Sequence, residues 1–315
     1  MIHHVLTNVS LPEQVRSLLG EECQVYVWRP DDPALGPILG TIEGIYAYGH
    51  MRVDEALIGR LPKLKVISNI GAGVDHIDLN VARRRGVPVG NTPDPLAGAV
   101  ADMTFALILA TARNVIAGAN YARSPAFTHY DPHFLVGNDV HGTTLGIIGL
   151  GNVGRQVARR ASGFDMTVLY HNRAPNRQVE AELGVSYASL PDLLSQSDFV
   201  TLHVPLTEET RGMIGRAELA WMKPTATFVN MGRGAVVDHE ALLGALGNGR
   251  IAKAALDVTD PEPLPRDHPL LKMENVIIMP HLGSATTQTR IAMLQMSVDN
   301  LKAGLEGRPL LRRVV

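Results

Sequence analysis

The 315-residue chain contains a single cysteine, Cys23. It can form no internal disulfide, and no cysteine-cluster metal site can be built from it. So few thiols also suit a reducing cytosol. An excess of charge of one sign is lacking as well: 29 Lys and Arg stand against 31 Asp and Glu, for a formal net charge of −2. A general nucleic-acid or anionic-membrane binder would need a basic surplus. The opening MIHHVLTNVSLPEQ has no apolar run of signal-peptide length. A membrane-spanning helix needs ~20 nearly uncharged residues, and the most apolar helical stretch, Ala97 to Ala112, is interrupted by Asp102. There is no repeat of fixed period and no low-complexity tract. With 45% apolar and 19% charged residues, the composition is that of a globular protein. These absences predict a soluble, cytoplasmic protein that binds neither nucleic acid nor membrane.

What is present is an alternation of short β-branched runs with helical patterns, the signature of an α/β fold with parallel sheets. Domains of ~100–200 residues make two the expected number. In the first third, Gln24–Trp28, Gly44–Ala47, Lys65–Ser68 and Val87–Val89 read as strands, with helices at Pro12–Leu19, Asp54–Arg60 and Asp78–Arg85. A long helix is predicted over Ala97–Ala117. Residues 123–142 then lose periodicity and read as an extended arm, a segment of the length that usually carries function or an interface. A second series follows. Its strands are Thr144–Ile148, Met166–Tyr170, Asp198–His203, Ala226–Asn230, Ala252–Asp257 and Val276–Met279. Its helices are Val153–Ser162, Leu190–Gln196, Arg216–Met222, His239–Leu246 and Thr286–Gly304.

Gly149, Gly151 and Gly154 form a G-x-G-x-x-G that follows the apolar strand Leu145–Ile148 and opens a helix. That is the context a dinucleotide site requires: a tight turn, close approach of a pyrophosphate to the backbone, and close helix–strand packing. Gly247, Gly249 and Ala252 fit a looser version but follow a helix and precede a strand, the wrong order. Where an NAD site usually carries an acidic residue for the ribose 2′-OH, this chain has Asn172, followed by Arg173 and, nearby, Arg177. Loss of the carboxylate removes repulsion of a 2′-phosphate, and a guanidinium can bind it. The pattern favours NADP(H) over NAD(H); a solvated Asn-Arg turn in an NAD site of relaxed selectivity is the alternative.

Three strand ends carry reactive side chains: Arg233 between two glycines, Glu262 between two prolines, and His281 after a strand. Ligands bind at the carboxyl ends of strands in open parallel sheets. Hydride addition to a 2-oxo acid leaves an alkoxide that needs a proton, which a histidine titrating near neutrality can supply. A carboxylate would orient that histidine, and an arginine would bind the substrate carboxylate and polarise the carbonyl. Singly, each residue also has a plainer role open to it: a surface arginine, a solvated turn, a structural histidine.

Together, GLGNVGR (149–155), NMGRGAVVD (230–238), DVTDPEPLP (257–265) and PHLGSAT (280–286), with ISNIGAGVDHID (67–78), resemble the D-isomer-specific 2-hydroxyacid dehydrogenase family in order and spacing. LDVTDPEPLPRDHPLL and HLGSATTQTR are similar to its glyoxylate/hydroxypyruvate reductases, which typically use NADPH. The resemblance implies two Rossmann-like parallel-sheet domains. A cofactor domain, residues 98–287, would be inserted into a discontinuous substrate domain, residues 1–97 and 288–315. Hinges would lie near Pro93–Pro95 and Thr286–Thr289, their closure expelling water.

The resemblance also implies roles. His281 would be the proton donor, Glu262 its partner and Arg233 the substrate anchor. The Ala72 and Gly73 amides would hold the substrate carboxylate. Thr104, Gly149, Gly151, Asn152, Val153, Gly154, Asn172, Arg173, Pro205, Met231, Arg233, Asp257, His281, Leu282, Gly283 and Ser284 would contact the cofactor. In that family Asp257 accepts from the nicotinamide carboxamide; a strand-end cap is its other reading. A homodimer is implied, with contacts on the Ala97–Ala117 helix and the 121–142 arm.

Several side readings complete the set. Met51 and Val53, at the tip of the 49–53 loop, suggest a small or apolar substrate pocket, and Arg52 reads as a surface charge. The scattered His129, His133 and His141 do not have metal-site spacing. His3 and His4 read as structural, and His171 as a candidate for the adenine-ribose pocket. An NAD-linked dehydrogenase of other D-2-hydroxy acids and a dinucleotide-sensing corepressor are the competing functions. The presence of Arg233, Glu262 and His281 together counts against the second.

Overall fold

The structure is a computed structural model that describes residues 2–30 and 32–315. Its contacts divide the chain into two compact units: Met1–Leu96 with Ala285–Val315 (unit 1), and Ala97–Ser284 (unit 2).

Unit 1 holds β1 (His3–Thr7), β2 (Cys23–Val27), β3 (Gly44–Tyr48), β4 (Val66–Ile70) and β5 (Val89–Gly90), all parallel, in the order β2-β1-β3-β4-β5. Its inner strands β3 and β4 are buried on both faces, as parallel strands covered by crossover helices are, while the edge strand β2 is half-buried to exposed. The period of two sends neighbouring residues to opposite cores. Leu6, Ile45 and Ile67 pack with Leu57 and Ile58 of the helix Glu55–Gly59. Val5, Tyr46 and Val66 pack with Val298 and Leu301 of the helix Thr287–Leu305. The C-terminal segment thus completes the sheet of the N-terminal one. Met51, at 3% exposure, and Val53, at 0%, belong to the first of these cores. They therefore line no pocket, contrary to the expectation above: both are core side chains whose burial contributes about 1.5–3 kcal/mol each. Arg52 between them is surface-exposed and pairs with Asp54 at 3.0 Å.

Unit 2 holds β6 (Thr144–Ile148), β7 (Thr167–His171), β8 (Ser186–Tyr187), β9 (Phe199–Leu202), β10 (Thr227–Asn230), β11 (Lys253–Leu256) and β12 (Val276–Ile278). These form a seven-stranded parallel sheet in the order β12-β11-β10-β9-β6-β7-β8. The chain winds outward from β6 through β7 and β8, then returns to the other side of β6 at β9. The β6/β9 boundary is therefore the topological switch point, where open α/β sheets bind ligands beyond their strand ends.

Beyond two short elements that were not expected, the strand β8 and the helix Gly36–Leu39, two features differ from the sequence expectations. The helix expected over Ala97–Ala117 is two helices, Pro93–Ala112 and Val115–Arg123. The first starts earlier because Pro93 and Pro95 lie in its first turn, where a missing N–H costs little. It ends where Asn114 turns left-handed, φ 52°, a conformation asparagine tolerates better than most residues. Lys253 stabilises that end, donating to the Thr111 carbonyl at 2.7 Å and to Asn114 Oδ1 at 2.5 Å. A cation there complements the exposed carbonyls. The other difference is a helix at Arg177–Leu183, capped by the Asn176 side chain, in a stretch with little apolar periodicity. Helix Pro93–Ala112 is long and apolar enough to cross a membrane, and over half of that stretch is buried in the protein. Residues 124–143 contain neither helix nor strand.

Candidate active site

The glycine loop follows β6 at the switch point. Gly149 has φ +99°, outside the range of other residues, and a Cβ there would meet the backbone of His203 and Val204 at 2.9–3.0 Å. A Cβ on Gly154 would stand 2.2 Å from the Gly149 carbonyl oxygen. A Cβ on Gly151 would meet nothing within 4 Å. Two glycines are thus demanded by the chain's own packing, and the third is spare space. The helix Asn152–Ala161 that starts here has no side-chain cap and no acidic residue in its first turn. A helix start with uncapped amides and open space beside Gly151 fits a pyrophosphate.

Asn172 stands just past β7, and its Oδ1 accepts from the Leu150 amide at 2.8 Å. It ties the second strand end to the glycine loop and places no carboxylate beside a ribose. Arg173 is exposed. Its charge reaches Glu209, whose carboxyl is held below the usual range by the Thr207 hydroxyl, its own backbone amide and Arg173. Arg177 pairs with Glu180 at 2.8 Å on the helix that sequence patterning missed. His171 Nδ1 lies 3.0 Å from the Ala188 carbonyl. Thr104 is fully buried, its hydroxyl donating back to the Val100 carbonyl at 2.7 Å. Pro205 and Asn152 are exposed, and Val153 and Ser284 half-buried. His203, just past β9, has both ring nitrogens buried without a hydrogen-bond partner among the described residues. Burial pushes its pKa down to about 3, so the ring is neutral.

The reactive side chains sit past three adjacent strands. Beyond β10, buried Asn230 acts as a staple: its Oδ1 accepts from the Gly232 amide at 3.0 Å and its Nδ2 donates to the Arg233 carbonyl at 3.0 Å. Arg233 Nη1 donates to the Gly232 carbonyl at 3.0 Å. A Cβ on Gly234 would lie 2.0 Å from Thr259, so the Arg233 loop rests backbone to backbone on the loop beyond β11. In that loop, Glu262 Oε1 is 2.7 Å from His281 Nδ1, the two side chains being 29% and 32% exposed.

His281 itself is left-handed, φ 57°, a conformation that costs of order 1–3 kcal/mol and persists only where the surroundings impose it. Asp257 imposes it here. Its carbonyl accepts from the His281 amide at 2.9 Å, and its carboxylate oxygens accept from the Leu282 and Gly283 amides at 2.7 and 2.8 Å. Asp257 is therefore a cap on the His281 turn. Gly283 allows this: a Cβ there would stand 2.8 Å from Asp257 Oδ2 and 3.1 Å from Met231 Cε.

In unit 1 the loop beyond β4 is held by side chains. Asn69 Nδ2 donates to the Gly73 carbonyl at 2.9 Å and the Gly71 carbonyl at 3.3 Å. Asn91 Nδ2 donates to the Ala72 carbonyl at 2.7 Å, and the Thr92 hydroxyl accepts from the Gly71 amide at 2.9 Å. With its amide group spent on two carbonyls, Asn69 presents Oδ1 to His76 Nε2 at 3.0 Å, which makes Nε2 the protonated ring nitrogen. Among the described residues, nothing accepts from the Ala72 and Gly73 amides. Asn69, Asn91, Thr92 and Asn230 were not singled out from the sequence, since buried clamps of this kind follow no fixed spacing.

The chain is similar to known proteins of one family. Residues 105–283 match the family D-isomer specific 2-hydroxyacid dehydrogenase, NAD binding domain. The chain is 42% identical over 311 residues to the glyoxylate reductase of Pyrococcus furiosus, covering 96% of this chain and 92% of that protein. It is 41% identical over 308 residues to that of Korarchaeum cryptofilum, covering 96% and 93%. Among solved structures, the NADPH-dependent glyoxylate/hydroxypyruvate reductase of Sinorhizobium meliloti, in complex with NADP and malonate, is similar with a TM-score of 0.92 at 32% identity, covering 100% and 97%.

Proposed function

Because the chain belongs to the D-isomer specific 2-hydroxyacid dehydrogenase family, we propose that it reduces glyoxylate to glycolate and hydroxypyruvate to D-glycerate, with NADPH as the reductant. The class, an NAD(P)-dependent dehydrogenase of the reductase type, follows from the family and the relatives. The substrate, the cofactor preference and the residue roles are part of the proposal.

The His281–Glu262 pair at 2.7 Å carries that reading. When bound, the dinucleotide would supply the hydride to the 2-carbonyl carbon. His281 gives a proton from Nε2, the ring nitrogen turned from Glu262, to the carbonyl oxygen as negative charge grows there. Glu262 accepts from Nδ1–H, which fixes the ring's orientation before transfer. Arg233 anchors the substrate carboxylate and polarises the carbonyl. The Ala72 and Gly73 amides would offer hydrogen bonds to a carboxylate. The net change is one hydride and one proton added across the carbonyl, giving the 2-hydroxy acid.

For the cofactor, Gly149, Gly151, Asn152, Val153 and Gly154 would hold the pyrophosphate, and Asn172 and Arg173 the 2′-phosphate. Thr104, Pro205, Met231, Asp257, Gly283 and Ser284 would shape the rest of the site. The exposed Val115, Ile116, Phe127, Tyr130, Phe134 and Val136 support the arm and helix Val115–Arg123 as a homodimer contact in the cytoplasm.

The test is initial-rate reduction of hydroxypyruvate, glyoxylate, pyruvate and phenylpyruvate with NADPH and with NADH, followed at 340 nm. Fast NADPH oxidation with the first two supports the reading. Preference for phenylpyruvate would keep the chemistry and overturn the substrate. His281→Ala should lower kcat by about 10²–10⁴ with the fold intact, and unchanged turnover would refute the proton-donor role.

A further inference from the structure

His239 is a buried histidine, 8% exposed, that the proton relay does not use. It is the first residue of the helix His239–Gly247, directly after the Asp238 cap. Its Nδ1 lies 2.9 Å from the Asp260 carbonyl oxygen. A carbonyl can only accept, so Nδ1 carries the proton and Nε2 is left as a bare acceptor. Nε2 is buried and has no hydrogen-bond partner among the described residues. Burying a bare ring nitrogen forfeits its hydration, a cost that an apolar side chain of similar size would not carry. What histidine offers here that leucine does not is the single bond to Asp260.

Asp260 belongs to the segment that presents Glu262. Pro261 and Pro263 contribute no N–H to that segment, so it has few donors of its own with which to hold its shape. Four contacts among the described residues hold it instead. The Thr259 amide donates to Glu262 Oε2 at 3.5 Å. The Thr259 hydroxyl donates to the Pro261 carbonyl at 2.9 Å. His239 fixes the Asp260 carbonyl. Gly234 admits the segment so closely that a Cβ would stand 2.5 Å from the Asp260 amide nitrogen. Gly234 and His239 lie on one short stretch that begins directly after Arg233. The stretch presenting the anchoring arginine therefore also grips the stretch presenting the carboxylate.

We propose that His239 is a positioning residue for the Glu262–His281 pair: its Nδ1–H holds the Asp260 carbonyl so that the Glu262 carboxylate keeps its 2.7 Å reach to His281. The inference rests on the reading of Glu262 and His281 as the proton relay.

The test compares H239L, which fills the space without a donor, with H239N, whose amide N–H reaches the Nδ1 position. H239L should lower kcat roughly ten-fold, the value of one intramolecular hydrogen bond, and leave KM and dinucleotide Kd within about two-fold of wild type. H239N should recover most of kcat. The low-field proton NMR signal of His281 Nδ1–H should be present in the wild type and H239N and broadened or lost in H239L. In an E262Q background the effect of H239L on kcat should vanish, because the two act through one contact. Should H239L fail to fold, H239F serves as the donor-free variant. An unchanged NMR signal and kcat in the donor-free variant would overturn the proposal. So would equal losses in H239L and H239N, which would mark a packing role alone. Turnover unaffected by His281→Ala would instead remove the relay reading, and the NMR comparison would still decide whether His239 holds the pair.

Discussion

Two loops in this protein offer backbone amides beyond the end of a parallel strand, and they are built in opposite ways. The 149–154 loop after β6 is shaped by what its residues lack: Gly149 and Gly154 fit because no Cβ stands between them and the neighbouring backbone. The 71–73 loop after β4 is shaped by what its neighbours supply, four hydrogen bonds from Asn69, Asn91 and Thr92. The first is a steric solution and carries a sequence motif. The second is a polar solution and carries none, because a buried amide can reach its carbonyl from any nearby residue. The two should therefore fail differently.

The largest expected effect is at the steric loop. Gly154→Ala puts a methyl 2.2 Å from a backbone carbonyl oxygen, which no side-chain rotation relieves. It should lower stability by about 1–3 kcal/mol and weaken dinucleotide binding at least a hundred-fold, read by thermal melting and fluorescence titration. Gly151→Ala separates the two consequences. Its methyl meets nothing in the chain, so Tm should not move, while the space for the pyrophosphate is lost and Kd rises. Normal binding by both variants would show that this loop is no phosphate cradle.

At the polar loop the expected effect is smaller and falls on the other ligand. Asn69→Ala removes the bonds to Gly71 and Gly73 and leaves His76 Nε2–H without its acceptor. Substrate KM should rise about ten-fold, as for loss of about 1.4 kcal/mol of net hydrogen bonding, with dinucleotide Kd unchanged. A change in Kd with KM unmoved would assign the loop to the wrong ligand.

The same contrast explains what could be read from the sequence. Most strands of both parallel sheets were legible as apolar runs, their ends misplaced by a residue or two at most; the exposed edge strand β8 was not, since Ser186 and Tyr187 make no apolar run. The glycine motif was legible because its context, strand before and helix after, is local. The break at Asn114 was not, since the lysine that stabilises it comes from β11, 139 positions along the chain. Helix Arg177–Leu183 was missed because only Val179 of its residues is buried, which leaves no apolar stripe to detect. Met51 and Val53 misled because a loop tip that folds back into a core looks, in sequence, like one that lines a pocket. Asn230, Asn69 and His239 act on backbone carbonyls near in space, and a carbonyl leaves no mark in a sequence.

Each loop also has a histidine beside it, and an effect confined to acid pH separates them. His76 is bonded to Asn69 at 3.0 Å. His203, whose backbone packs against Gly149, has two buried ring nitrogens without a hydrogen-bond partner among the described residues and a pKa pushed down to about 3 by burial. An unfolded histidine titrates near 6.5. Between those values the unfolded chain binds a proton that the folded chain refuses, so stability rises with pH across this window and is lost as pH falls below about 6.5. At pH 5.5 the loss from this one group is about 1.4 kcal/mol relative to pH 8. His203→Leu should remove that component, so the denaturant midpoint of the variant should fall less than that of the wild type between pH 8 and pH 5.5. Equal pH dependence in the two proteins would mean that the folded state can protonate His203, and that the glycine loop gives way to let water reach it.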